Sequence, residues 1–403
     1  MLPLRRALEA KLADRALTKV MQIENDLLPV IVGMELAGVP VDVAALEALA
    51  KERKRMSAEA SERVRAALHI DNPNSPKQLL PALKAAGLNV AASNAEALAP
   101  YRDHPVASDT ATMRTSKQTA DVARALAEGA RVQVDGRVRP SWWQIGAPTG
   151  RMATSSPNVL GLPKDPAMRA CIAAPPGRTF VVADYAAIEL RVLAHVTSDK
   201  QLTAIFQAGG DPHRSLASIL LRKEPVDVTG DERKRAKPVN FGFAFGMGAD
   251  RFVGYALKDY GVAFALDEAR RFKGAYLGAY RQVDEWQRRT RAHMERQVRT
   301  IAGRLRDFAN SRDGYTERLN MPVQGTAADG MKRAMSLLAP QLAKLDSRIV
   351  LAVHDELVVE APEAVAEEVK ATVVQGMVEG MAVDVSSVPI VVEAEVRRTW
   401  GKK

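Results

Sequence analysis

The sequence has a single cysteine, Cys171, among its 403 residues. One thiol excludes an internal disulfide, leaves no cysteine-based zinc site, and fits a reducing, intracellular compartment. The six histidines are scattered, with neither H-E-x-x-H nor H-x-H spacing, so a histidine zinc centre is also unsupported. Long apolar runs are missing too. No window approaches the roughly 18 consecutive apolar residues of a spanning helix. The charged, amphipathic start MLPLRRALEAKLADRALTKV has no signal-peptide apolar core. The chain is therefore expected to be soluble and untargeted, with no membrane partner. No internal repeat or low-complexity tract breaks the sequence.

What is present is ordinary globular composition, 47% hydrophobic and 26% charged, in a chain too long for one compact core. Two or three lobes are expected. Lys and Arg number 57 against 48 Asp and Glu, a formal charge of +9, which favours a polyanionic partner such as nucleic acid.

Residues 1 to 37 have helical periodicity, with Ile23, Leu27, Leu28, Ile31 and Met34 on one face, and GVPVD at 38–42 ends it. A long helix dense in Lys, Arg and Glu is expected from Val43 to Leu68, closed by DNPNSP at 71–76, with two or three more helices to Gly129. Near 130 the pattern changes. VQVDGRVRPSWWQI alternates around Asp135-Gly136 and predicts a hairpin. TFVVADY at 179–185 predicts a buried strand followed by a helix, IELRVLAHV. RIVLAVHDELVVEA at 348–361 predicts two strands around a His-Asp turn, and PIVVEAEV at 389–396 another. Residues 211–342 are largely helical. A sheet with long helical insertions is an α+β pattern.

Asp184 and Asp355 both fall at strand ends, where neighbouring strands can set two carboxylates side by side around divalent cations. Asp in a turn is also common for backbone reasons alone. The segment RKRAKPVNFGFAFG, Arg233 to Gly246, follows Thr229-Gly230-Asp231-Glu232, a capping-box sequence that places a helix start at Thr229. Arg233, Lys237 and Phe241 then share one face within roughly 80°, with Phe245 extending the stripe. Two cations followed by a ring suit a nucleotide's phosphates and its base or sugar. A solvated charged face over a core phenylalanine has the same pattern.

Together these segments resemble the family A DNA polymerases. DYAAIELR at 184–191 looks like motif A, RKRAKPVNFGFAFG at 233–246 like motif B and VHDE at 353–356 like motif C. TGRMATSSPNVLGLP at 149–163 and NMPVQGTAAD at 320–329 also match, and finer details lean toward phage or prophage relatives. The resemblance implies a right-hand fold with an antiparallel palm sheet and helical thumb and fingers. Its expected divisions are an N-terminal helix leading into the palm (1–44), thumb (45–128), palm with motif A (129–191), fingers with motif B (192–343) and palm with motif C (344–403).

The resemblance also implies roles. Asp184 and Asp355, with the Tyr185 carbonyl, would hold two Mg²⁺ ions, Mn²⁺ being able to substitute, and Glu356 would support the acidic cluster. Arg233, Lys237 and His213 would neutralise the triphosphate, Lys237 also serving as proton donor to pyrophosphate. Glu189 would exclude a 2′-hydroxyl, Phe241 and Phe245 would stack at the nascent pair, and Tyr185 would form a wall. Arg151, Asn158, Asn320, Gln324 and His354 would contact primer and template. The implied protein is a template-directed DNA polymerase for replication or repair, a monomer binding template-primer duplex and deoxynucleoside triphosphates in a bacterial or phage-infected cytoplasm. The alternatives are an inactive nucleic-acid-binding relative and a single-subunit RNA polymerase, the second disfavoured by Glu189.

Some residues depart from the family. Phe245 stands where a tyrosine is usual, Ala186-Ala187 where Ser-Gln is common, and Leu160-Gly161 where Gln-Asn is common. Pro238 lies inside the predicted helix and predicts a bend. About 40 residues precede the expected thumb, too few for an exonuclease domain, so proofreading is expected to be absent.

Overall fold

The computed structural model describes residues 2–163, 165–309 and 314–401. Helices α1 (Leu2–Asp14) and α2 (Thr18–Ala37) lead through strand β1 (Val39–Pro40) into α3 (Val43–Leu68), α4 (Pro76–Ala85), the one-turn α5 (Ala95–Leu98) and α6 (Pro105–Arg131). Short strands β2 (Arg137–Val138), β3 (Ser141–Trp143) and β4 (Ala153–Ser155) follow, then α7 (Pro166–Ala170) and β5 (Arg178–Tyr185). The helical insertion holds α8 (Ile188–Thr197), α9 (Lys200–Gln207), α10 (Pro212–Leu221), α11 (Gly230–Ala244), α12 (Ala249–Tyr260), α13 (Leu266–Ala279) and α14 (Arg281–His293). After the hairpin β6 (Gln297–Arg299) and β7 (Leu305–Asp307) comes α15 (Tyr315–Lys344). The chain closes with β8 (Arg348–Val353), β9 (Glu356–Pro362), α16 (Ala366–Ala382) and β10 (Val392–Arg397).

The centre is a four-stranded antiparallel sheet in the order β10-β5-β9-β8. Strands β5, β8 and β9 are largely apolar because helices cover the sheet, α16 lying on β5 and β10 and α15 packing on α16. Val181, Val358, Val359 and Ala361 are fully buried there.

Helices α3 and α6 pair antiparallel into an elongated lobe. Glu47 meets Arg131, the Ser57 hydroxyl donates to the Met113 carbonyl (2.7 Å), and Arg63 meets Asp109 (2.8 Å). Val64, Leu79, Leu83, Leu88, Val90, Leu98 and Ala107 form a second hydrophobic core at the tip of this lobe, separate from the main one. No helix among the described residues is long and apolar enough to cross a membrane.

Two expectations fail. The first helix is two helices, divided where Ala16 adopts φ 53°. The hairpin across Asp135-Gly136 does not form, because Arg137 and Val138 are both buried and take Pro40 and Val39 as partners, while β3 pairs with β4. Asp135 instead binds Arg139, whose two terminal nitrogens donate at 2.9 and 2.6 Å. Cys171 is buried, which pushes its thiol up to about 11 and leaves it protonated and inert.

Candidate active site

The carboxylates come together at one end of the sheet. Asp184 lies opposite Glu356 in the β5–β9 register, and Asp355 immediately precedes Glu356 in the turn between β8 and β9. The Tyr185 amide donates to the Asp355 carbonyl (3.1 Å), pinning the turn against β5. His354, exposed and at φ 58°, takes the left-handed conformation that lets the strand reverse there. Burial lifts the Asp355 pKa, and the nearby Glu189 charge adds to the lift. A cation nearby would favour the charged form that burial disfavours. No group of three or more His, Cys, Asp or Glu side chains able to hold a metal occurs among the described residues. Two carboxylates beside a backbone carbonyl suit Mg²⁺, which commonly takes one or two carboxylates and completes its shell with water and substrate phosphates.

Glu356 accepts a hydrogen bond from the Trp400 indole (2.6 Å). The expected wall from Tyr185 is not there. Successive side chains on a strand alternate faces, and next to half-buried Asp184 the Tyr185 ring is buried, with its hydroxyl donating to the Met377 carbonyl of α16 (2.6 Å). Only its backbone remains at the site.

Helix α11 starts as its sequence requires. Thr229 and Glu232 form both halves of the capping box, with the Glu232 amide donating to Thr229 (3.2 Å) and the Thr229 amide to Glu232 (2.9 Å). The helix continues unbroken through Pro238. At its far end the buried Gln287 amide donates to the Phe243 and Ala244 carbonyls (2.7 and 3.1 Å), satisfying groups a helix end leaves open. Lys237 is exposed on this helix, and Arg233 is ion-paired with Asp211.

Asp211 was not singled out by sequence, although D-P-H before a helix is an N-cap signature. Its carboxylate caps α10 by accepting from the His213 and Arg214 amides (2.8 and 3.1 Å). Burial alone would raise its pKa, but Arg233 and these amides bring it below the usual range.

His213 is buried, which pushes its pKa down to about 4, and Lys237 and Arg233 push the same way. The ring is neutral near pH 7, so the expected charge neutralisation becomes hydrogen bonding. Asn240 Nδ2 lies 2.9 Å from His213 Nδ1 and donates to the Pro212 carbonyl (3.1 Å). With Nδ1 accepting from Asn240, Nε2 carries the proton.

Between α11, α12 and α15 lies a cavity of about 410 Å³ that brings together Glu189, Phe241, Phe245, Asn320 and Gln324. Phe241 stands 5.5 Å from the His213 ring, centroid to centroid. Asn320 lines this space, and its buried Oδ1 has no hydrogen-bond partner among the described residues. Arg251, Tyr255 and Tyr260 complete the wall, Tyr255 donating to Tyr260 (3.1 Å). Sequence reading passed over all three, which lie in none of the matching stretches.

Arg151 donates to Glu189, so two residues expected to contact different partners are one ion pair. Asn158 is exposed and braces its own loop, its Oδ1 accepting from the Gly161 amide (3.0 Å) and the Thr154 hydroxyl (3.1 Å). That carbonyl fixes the loop rather than reaching outward.

Residues 43–402 match DNA polymerase family A. DNA polymerase I of Aquifex aeolicus (strain VF5) is 33% identical over 382 residues, covering 92% of this chain and 65% of that protein. The thermostable DNA polymerase I of Thermus filiformis is 34% identical over 421 residues, covering 97% of this chain and 49% of that protein. Among solved structures, the POL domain of Pol1 from M. smegmatis, in complex with DNA primer-template and dNTP, aligns with a TM-score of 0.88 at 27% identity, over 99% of this chain and 74% of that one. The central antiparallel sheet is the palm of the right-hand fold, and the chain belongs to DNA polymerase family A.

Proposed function

We propose that this chain is a template-directed DNA polymerase that adds deoxynucleotides to a primer 3′-hydroxyl. The observation that carries the reading is the meeting of Asp184 and Asp355 at one end of the sheet, within a family that shares this fold. These carboxylates and the Tyr185 carbonyl would hold Mg²⁺, which when bound supplies activation of the 3′-hydroxyl and charge neutralisation on the triphosphate.

The chain's own residues do the rest. Arg233 and Lys237 meet the phosphates, and Lys237 donates a proton to the departing pyrophosphate. Neutral His213 contributes the Nε2 hydrogen bond to the same group. Phe241 stacks beneath the incoming sugar and base, and Phe245 packs beside the templating base. Glu189, held by Arg151, closes the space a 2′-hydroxyl would need. Asn320, Gln324 and His354 contact the primer terminus and template.

The divisions follow the same reading, with 45–128 as thumb, 129–191 and 344–403 as palm, and 192–343 as fingers. The protein works as a monomer on DNA in the bacterial cytoplasm; light scattering of the purified protein tests the first point.

The deciding test is extension of a labelled primer on a longer template with Mg²⁺, comparing the unmodified protein with Asp355→Ala. Templated extension with deoxynucleotides, reduced at least about 10²–10³-fold in the variant, is expected. Duplex binding with no extension would overturn the reading in favour of a non-catalytic relative, and preferential ribonucleotide use in favour of an RNA polymerase.

A further inference from the structure

Behind the Arg151–Glu189 pair lies a buried group of four charges drawn from three distant parts of the chain. Glu24 comes from α2, Arg304 from the β6–β7 hairpin, and Asp329 and Lys332 from α15. Asp329, Lys332 and Arg304 are 0%, 1% and 5% exposed, a degree of burial that charged residues tolerate only when paired.

The pairing is complete. Lys332 donates to Glu24 (2.5 Å), Arg304 Nη2 donates to the same carboxylate, and Arg304 Nε donates to Asp329 (2.8 Å). Thr300 donates its hydroxyl to the second Asp329 oxygen (2.7 Å). Two acids and two bases leave the cluster neutral.

Such a cluster can be replaced by apolar packing at little cost to stability, so its position needs another explanation. The Arg304 side chain lies flat against Gly150, which sits at φ 85°. A Cβ added there would stand 2.5 Å from Arg304 Nε and 2.6 Å from Cδ. From the other side, a Cβ on Gly325 would meet the Thr300 methyl at 2.4 Å and the Thr149 carbonyl at 3.1 Å. The turn is closed internally by the Gly146 and Ala147 amides donating to the Arg151 carbonyl (3.0 and 3.1 Å). Thr149-Gly150 is thus pressed between Arg304 and Gly325, and the next residue is Arg151, which grips Glu189. Arg151 and Lys332 also line one small space of about 20 Å³ with His354.

We infer that the Glu24–Arg304–Asp329–Lys332 cluster is a positioning device for sugar selection: it fixes the Thr149–Arg151 turn, and through Arg151 it fixes Glu189. None of the four touches substrate. Arg304 acts because it is planar and held from two sides; a lysine keeps the charge and loses both the flat contact and one carboxylate. The inference rests on the polymerase reading above and adds Glu24, Arg304 and Lys332, which lie outside the matching stretches.

The test is single-nucleotide insertion of dCTP and rCTP opposite a template guanine, with kcat/KM measured for each. Variants are Arg304→Lys, Thr300→Val, Arg151→Lys and the double Arg304→Lys/Arg151→Lys, each with a melting curve. The dCTP to rCTP preference should fall about tenfold in Arg304→Lys and in the same direction in Thr300→Val. In the Arg151→Lys background, Arg304→Lys should add nothing further. A preference ratio unchanged in both single variants, whatever their melting temperatures, would reduce the cluster to scaffolding and overturn the inference. So would additive effects of Arg304→Lys and Arg151→Lys, since they would act by separate routes. If the unmodified protein fails to insert dCTP, the polymerase reading falls and takes this inference with it; if it inserts dCTP normally, only the inference is at stake.

Discussion

His213 shows how one burial decision changes a residue's chemistry. A histidine held near pKa 4 cannot serve as a cation at neutral pH, so in the proposed function it would meet phosphate through Nε2–H while Arg233 and Lys237 would carry the charge. The linkage has a definite sign. Between the ordinary value of 6.5 and about 4, the unfolded chain binds a proton that the native ring refuses. Stability should therefore fall as pH drops through that window, and His213→Gln should flatten the urea-unfolding profile measured from pH 7 to 4. An unchanged slope would mean the ring accepts protons in the native state. At the neighbouring position, Phe241→Tyr would in the proposed function add a hydroxyl beneath the incoming sugar, and dideoxynucleotide use should rise relative to deoxynucleotide use in competitive termination assays. Equal use of both by the unmodified protein would remove the basis for that expectation.

At the scale of elements, long periodic segments were legible and short paired ones were not. The limits of α3 match the sequence expectation at both ends, and the strands around the His-Asp turn, the β5 strand and the capping box of α11 all form where periodicity or capping chemistry placed them. Strands of two or three residues carry no readable period. Val39 finds Val138 and Trp142 finds Thr154 because tertiary packing brings them together, and the β6–β7 hairpin was read as part of a helical run. The same reason hid the candidate site's support. Asp184, Asp355 and the motif-B cations sit in local patterns, whereas Glu24, Arg304 and Lys332 make sense only once α2, the hairpin and α15 touch.

Helix α11 supplies an element-scale prediction. Pro238 removes one internal hydrogen bond, at a typical cost of about 3 kcal/mol, so the two ends must hold the helix. Gln287→Ala strips the buried Phe243 and Ala244 carbonyls of their donor and should cost about 1–3 kcal/mol. Thr229→Ala should cost about 1 kcal/mol. Chemical denaturation reads both, and Gln287→Ala should be the more damaging.

On the scale of the whole molecule, the proposed function would divide holding DNA and joining nucleotides between different regions. Lys51, Lys54, Lys117 and Arg124 line a groove of about 680 Å³ between α3 and α6, far along the chain from either carboxylate. Binding of a template-primer duplex should weaken linearly in log Kd against log salt. Lys51→Ala with Lys54→Ala should lower that slope by about two, roughly one per phosphate contact, and weaken binding alike for unrelated sequences. A slope that stays the same in fluorescence-anisotropy titrations would place the duplex elsewhere.

The separate apolar core at the far end of that lobe has its own consequence. Val64, Leu79, Leu83, Leu88 and their neighbours bury one another and owe little to the sheet, so this tip can open and close as a cooperative unit while the rest stays folded. Wear on the molecule would then be graded. In the proposed function, heat or mutation at the tip would shorten the time the protein stays on a template well before it slowed the joining of any single nucleotide.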